Sequence, residues 1–172
     1  TILLATHQFG FPCDIHRLMQ YAGDVGAFVV EDVAAALGSR VGGRLTGTFG
    51  DASFFSFDSS KLLHAPIKGG FLLTQSSQLF VRCQKFQDTH TFPMPLSRKI
   101  HYLLLSASLT ILENPLLYRI FHNLKFHWRS RFTEDSLKFS PKIGPFYTDR
   151  FGEWQAATLL PQLKCLEQIM VT

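Results

Sequence analysis

Residues 27–32 read Ala27-Phe28-Val29-Val30-Glu31-Asp32. This β-branched run is too short for a helix and predicts a buried strand that delivers two acids at its carboxyl end. Upstream, Ile15, Leu18, Met19 and Ala22 recur at helical spacing behind an Asp14 N-cap, and Gly23 and Gly26 are expected to end that helix. Earlier still, Ile2 to Thr6 reads as a short strand broken by Gly10 and Pro12. Strand, loop, helix, strand is a βαβ unit. It predicts an α/β fold with a mostly parallel sheet, flanking helices, and ligands at the carboxyl ends of the strands. Asp32 stands at that place.

Downstream, the glycine-rich stretch 38–50 predicts a tight loop or hairpin, followed by a buried strand from Ala52 to Phe57 that ends at polar residues. Lys61 follows on the turn, and Gly70 to Thr74 reads as a further strand. A lysine after the hydroxyl-rich turn Asp58-Ser59-Ser60, with an acid at an upstream strand end, suits a pyridoxal phosphate site. The lysine amine can form a Schiff base, the acid can keep the pyridine nitrogen protonated, and serines can hold the phosphate. Taken singly, each element has an ordinary explanation: a surface lysine, a solvated acid pair, turn glycines. Their order and spacing carry the reading.

The chain of 172 residues is 46% hydrophobic with 17 Phe, enough for a real core. Its net charge of +4 comes from scattered Lys and Arg. The densest basic stretch, Lys125 to Arg131, reads as a solvated helix face rather than a nucleic-acid grip. Cys13, Cys83 and Cys165 form neither a zinc pattern nor a disulfide framework and are expected to be reduced, as in a cytoplasmic protein. No stretch resembles a signal peptide. The apolar run Ile100 to Leu112 and the helical pattern Leu116 to Leu124 meet at Pro115, and the run is shorter than the roughly 20 residues a span needs. Two packed helices are expected there, with membrane-surface contact by residues 100 to 124 as a minor alternative. Near the end, Asp149 is expected to cap a helix with the apolar stripe Trp154, Ala157, Leu160, Leu163, Leu166 and Met170, kinked at Pro161.

Together, His7-x-x-Gly10-x-Pro12-x-Asp14, Glu31-Asp32-x-Ala34-x-Ala36-x-Gly38, Gly43-Arg44-x-x-Gly47-x-x-Gly50-Asp51, Phe55-Ser56-Phe57-x-x-x-Lys61 and Gly69-Gly70 resemble the DegT/DnrJ/EryC1/StrS family of fold-type I pyridoxal phosphate enzymes. The likeness resumes at Arg150-x-x-x-x-Gln155-Ala156-Ala157. It implies that this chain corresponds to the central part of a longer protein. Residues 1–78 would be part of an aspartate-aminotransferase-like large domain. Residues 79–147 would be a helical, apolar insertion and loop, and residues 148–172 a helix leading toward a small C-terminal domain. It also implies pyridoxal 5'-phosphate as cofactor. Lys61 would be the catalytic residue and hold the cofactor, with Asp32 at its ring nitrogen and Ser56 at its phosphate. Ser59 and Ser60 are secondary candidates for the phosphate. His7, His64 and Glu31 are expected to be non-catalytic.

The resemblance further implies transamination of a nucleotide-linked keto-sugar with an amino-acid donor, glutamate or glutamine, in a cytoplasmic homodimer. No nucleic-acid partner and no metal are expected. Two departures stand out. Ala35 replaces a Gln or His that helps hold the ring in relatives. Thr148 replaces an Asn that reaches a neighbouring subunit's cofactor phosphate and keeps a hydroxyl donor. The alternative reading is a truncated, inactive homologue with an interaction or regulatory role, and the isolated chain is expected to be inactive.

Overall fold

β1 (Ile2–Thr6) and β2 (Phe28–Asp32) form a parallel ladder in which Ile2 faces Phe28 and Thr6 faces Asp32. These features belong to a computed structural model that describes residues 1–58, 61–63, 65, 69–112 and 148–171. The ladder is joined by α1 (Ile15–Val25), which starts where Asp14 Oδ1 accepts the Arg17 N–H at 3.2 Å. The helix passes through Gly23 and ends only at Gly26, at φ +62°, where Ala27 N–H reaches back to the Ala22 carbonyl. A left-handed residue there needs the missing Cβ, whereas Gly23 has a helical backbone and stops nothing. Ile15 and Ala22 bury against Ala5 and Val29, with Leu18 and Met19 packed around them. Full burial of a side chain such as Ile15 contributes about 2 kcal/mol.

The segment after β2 turns into a small hairpin, β3 (Arg40–Val41) and β4 (Arg44–Leu45), in antiparallel register. Gly42 and Gly43 both have positive φ, the backbone a two-residue hairpin turn of matching twist requires. β5 (Ala52–Ser56) returns to the main sheet parallel to β2, with Asp32 opposite Phe54. β6 (Gly70–Thr74) then pairs with β5 in the opposite direction, Ser56 facing Gly70. The sheet order is β1-β2-β5-β6, so two of the three ladders are parallel. The expected mostly parallel α/β sheet is what the chain forms.

Because side chains alternate along strands, β2 and β5 divide their residues between two faces. Val29, Glu31, Ser53 and Phe55 lie on the α1 side and are buried. Asp32 and Ser56 lie on the other side, where Ile2, Leu4 and Leu72 are exposed. On the α1 side Phe55 packs with Val33 and Ala36, and its ring stacks on Phe71 at 4.3 Å between centroids.

The described chain divides into two units, residues 1–90 with 151–172, and residues 91–150. The first also holds α2 (Ser77–His90), α4 (Glu153–Lys164) and α5 (Leu166–Val171). The second holds α3 (Leu96–Leu112) and a short bridge between Phe92 and Asp149. The expected pattern Leu116 to Leu124, the junction at Pro115 and the basic stretch Lys125 to Arg131 lie outside the described residues. No helix among the described residues is long and apolar enough to cross a membrane.

The final helix differs from its expected form. Asp149 does not cap it. Gly152 occupies the N-cap and its N–H donates to Gln155 Oε1 at 2.8 Å, while Asp149 is held by Arg98. The buried positions are Gln155 and Leu159, whereas Leu160 is 57% exposed, so the inward face is set one residue away from the expected stripe. Pro161 lies inside α4, which ends at Lys164 with Cys165 as its C-cap.

Gly47 is the tightest point of the hairpin's return. Its φ is +85°, and a Cβ there would lie 2.5 Å from Phe55 Cζ. Gly47→Ala is expected to destabilise the protein by about 2–4 kcal/mol through backbone strain and core overpacking. Urea unfolding followed by circular dichroism checks this. An unchanged midpoint would mean that the loop moves aside at no cost.

Candidate active site

Asp32 and Ser56 end parallel strands, and Lys61 follows on the turn beyond Ser56, so all three belong to the carboxyl edge of the sheet. Such an edge is where parallel sheets hold ligands. Asp32 is half-buried, and its Oδ1 accepts the Ala34 N–H at 3.0 Å, a local turn that fixes the carboxylate against its own backbone. Its main-chain carbonyl accepts the His7 N–H at 3.0 Å, tying the ends of β2 and β1.

Lys61 is reached through a folded turn. Ser56 Oγ accepts the Asp58 N–H at 3.3 Å, and the Asp58 carbonyl accepts the Lys61 N–H at 2.9 Å. Immediately beyond, Leu63 and Ala65 bury with Phe57 and Leu159, against Leu37, Phe151 and Leu166. The lysine, itself half-buried, is therefore held between a hydrogen-bonded turn and an apolar anchor. Phe57 N–H also donates to the Gly69 carbonyl at 2.7 Å, which closes the segment at its base. A Cβ on Gly69 would meet the Phe151 ring at 2.4 Å, and one on Gly70 would meet the Phe55 carbonyl oxygen at 2.6 Å. The Gly-Gly pair is thus a close-approach element. Ser59, Ser60 and His64 lie outside the described residues.

The structure separates Glu31 from Asp32. Glu31 points to the opposite face and is fully buried. Its Oε1 accepts the Phe49 and Gly50 N–H groups at 2.6 and 2.7 Å, and its Oε2 accepts the Gly47 N–H at 2.7 Å. The remaining donor is His7, also fully buried, with Nε2 3.1 Å from Glu31 Oε2. His7 Nδ1 accepts the Cys13 N–H at 3.2 Å, so the ring proton resides on Nε2 and is donated to Glu31. Four donors satisfy a carboxylate that would otherwise be very costly to bury. Sequence reading assigned no catalysis to either residue but missed the cluster. Its signal is the pair Gly47 and Gly50, two glycines that bring backbone N–H groups close to a strand-end acid.

The two positions of departure are also placed. The Ala35 carbonyl accepts the Gly10 N–H at 3.0 Å, and the Thr148 carbonyl accepts the Phe92 N–H at 2.7 Å. Next to Thr148, the half-exposed Arg98 places Nη1 2.5 and 2.6 Å from the two carboxylate oxygens of the buried Asp149. That hydrogen bond raises the guanidinium pKa above its ordinary value. The Arg98–Asp149 pair was not foreseen, since nothing local links positions so far apart in sequence. No group of His, Cys, Asp or Glu among the described residues is arranged to hold a metal ion.

Cys13, beside His7, has its thiol pKa raised, first by burial and then by the charges of Glu31 and Asp14, against a lowering by a backbone hydrogen bond. A raised pKa means less thiolate at any pH below it. Iodoacetamide at pH 8 should therefore modify Cys13 more slowly than an ordinary thiol, with the rate still climbing where such a thiol has levelled off. Peptide mapping of timed reactions measures this. A Cys13 rate that plateaus early would show that the raised value is wrong.

Comparison with known proteins follows the same lines. Residues 1–101 match the model of the DegT/DnrJ/EryC1/StrS aminotransferase family. The chain is similar to GDP-perosamine synthase of Escherichia coli O157:H7, 38% identical over 85 residues that cover 49% of this chain and 23% of that protein. It is also similar to dTDP-3-amino-3,4,6-trideoxy-alpha-D-glucose transaminase of Micromonospora megalomicea subsp. nigra, 38% identical over 44% of this chain and 20% of the relative. The matched stretch thus spans about a quarter of the length of these relatives. Among solved structures, an aminotransferase from Psychrobacter cryohalolentis superposes with a TM-score of 0.62 over 98% of this chain and 34% of its own, at 22% identity, a likeness of fold. The chain belongs to the DegT/DnrJ/EryC1/StrS aminotransferase family.

Proposed function

We propose that this chain supplies the cofactor-binding strand ends of a pyridoxal phosphate-dependent aminotransferase acting on a nucleotide-linked keto-sugar. The observation that carries the reading is the gathering of an acid, a hydroxyl and an amine at one sheet edge, in a chain of this family. The set fits the cofactor's chemistry. Asp32, Ser56 and Lys61 are each half-buried, so each is shielded yet reachable. When bound, pyridoxal phosphate supplies an electron-withdrawing ring that stabilises negative charge on the substrate carbon.

The residues then have distinct tasks. Asp32, fixed through Oδ1 by the Ala34 N–H, keeps a proton on the ring nitrogen and so keeps the ring electron-withdrawing. Ser56 Oγ, at the end of β5, donates a hydrogen bond to the phosphate. Lys61 Nζ holds the cofactor covalently while the site is idle, and as a free amine moves a proton on and off the substrate carbon. The turn from Ser56 through Asp58 sets the reach of Lys61 relative to the phosphate site. The substrate class rests on the relatives, whose names include GDP- and dTDP-linked sugars. An amino acid, glutamate or glutamine, is the donor, and the working form is a cytoplasmic homodimer.

Two substitutions test the assignment in the longer protein to which this chain is proposed to belong. Incubation with pyridoxal phosphate followed by borohydride should leave a pyridoxyl group on Lys61, found by peptide mass, and Lys61→Ala should remove it. A label that persists elsewhere in that variant would move the attachment site. Asp32→Asn should keep the label on Lys61 but slow amino transfer by about a hundredfold or more, since the ring nitrogen loses its charged partner. Transfer at the unsubstituted rate would remove Asp32 from this role.

A further inference from the structure

Glu31 and His7 form the most completely enclosed polar cluster among the described residues, and the function proposed above assigns them nothing. Both are fully buried, and together they join three stretches of chain. Glu31 reaches the Gly47, Phe49 and Gly50 N–H groups, His7 reaches Glu31 through Nε2, and the Cys13 N–H reaches His7 Nδ1. The His7 backbone, in turn, donates to the Asp32 carbonyl. Asp32 follows Glu31 directly on β2, so their side chains leave opposite faces of one strand. Any rotation of β2 about its axis that re-aims Asp32 must carry Glu31 away from its four donors.

We propose that the Glu31–His7 pair is a positioning device for Asp32, fixing the direction of its carboxylate from the opposite face of the sheet. The proposal builds on the function assigned to Asp32, but its geometry is independent of any cofactor. A Gln at position 31 keeps one acceptor oxygen and turns an NH2 group toward donors. His7 cannot switch tautomer to receive it, because Nδ1 already accepts from Cys13. Loss of the charge therefore leaves buried N–H groups without acceptors.

A local reporter exists. The Ala34 N–H is bonded to Asp32 Oδ1, so its hydrogen exchange reads the aim of that carboxylate. Exchange is followed by NMR in the cofactor-free protein, comparing the Ala34 amide with those of Gly47, Phe49 and Gly50. In Glu31→Gln and in His7→Leu, the Ala34 amide should exchange about tenfold faster or more, together with the loop amides. His7→Gln, which keeps an N–H donor toward Glu31, should restore Ala34 protection toward the original value. Faster exchange confined to Gly47, Phe49 and Gly50, with Ala34 unchanged, would reduce the pair to a loop staple and overturn the proposal. So would His7→Gln failing to differ from His7→Leu. If Glu31→Gln does not fold, the two His7 variants decide alone. Separately, pyridoxal phosphate titrations of the unsubstituted protein followed by absorbance test the function itself. Absence of binding there would count against the aminotransferase reading, while the amides would still decide the coupling.

Discussion

A single buried carboxylate organises the carboxyl edge of this sheet. Glu31 accepts three backbone N–H groups from residues 47–50 and a fourth hydrogen bond from His7. Without those donors its burial would be untenable, and without Glu31 the N–H groups would be stranded in an apolar interior. Each side therefore requires the other. The consequence is that the return from the β3–β4 hairpin has a fixed landing point beside β2. Asp51 adds to it by accepting the Val29 N–H at 2.8 Å. β5 starts immediately after, in a register set by that landing, and carries Ser56 and the Lys61 turn to the edge that Asp32 occupies.

Much of this was legible in the sequence. The βαβ unit could be read because its signals are local: β-branched runs for β1 and β2, and a helical apolar period with an Asp14 cap between them. The places of Asp32 and Ser56 at strand ends could be read as well, because the runs that precede them carry a local strand signal. The glycine-rich stretch announced a turn, and Gly42-Gly43 supplied one.

What could not be read was set by contacts between distant residues. β6 runs against β5 because the chain comes back to the sheet with Gly70 opposite Ser56, and a strand's direction leaves no trace in its own composition. The inward face of α4 is fixed by Leu159 packing on Phe57 and Leu63. Helical spacing alone allows more than one phase when Leu159, Leu160 and Leu163 are all available. Asp149 carries the same signature whether it caps a helix or pairs with an arginine, and Arg98 decided the matter. Gly23 and Gly26 look alike as letters, and only the second adopts the left-handed backbone that ends a helix.

The reversal of β6 has a consequence for how such proteins can vary. Because Ser56 faces Gly70 and Phe57 bonds to Gly69, the segment bearing Lys61 leaves the sheet and re-enters it at neighbouring points. Its two ends are pinned regardless of what lies between them. The entropy of closing a loop between fixed ends grows only logarithmically with its length, by roughly 0.6 kcal/mol for each doubling. Residues gained or lost within that segment would therefore alter the lysine's reach while leaving strand register in place, provided that Leu63 and Ala65 keep their packing on Phe57 and Leu159. The arrangement uncouples the lysine's reach from strand register and leaves the apolar anchor at Leu63 and Ala65 as the limit on change.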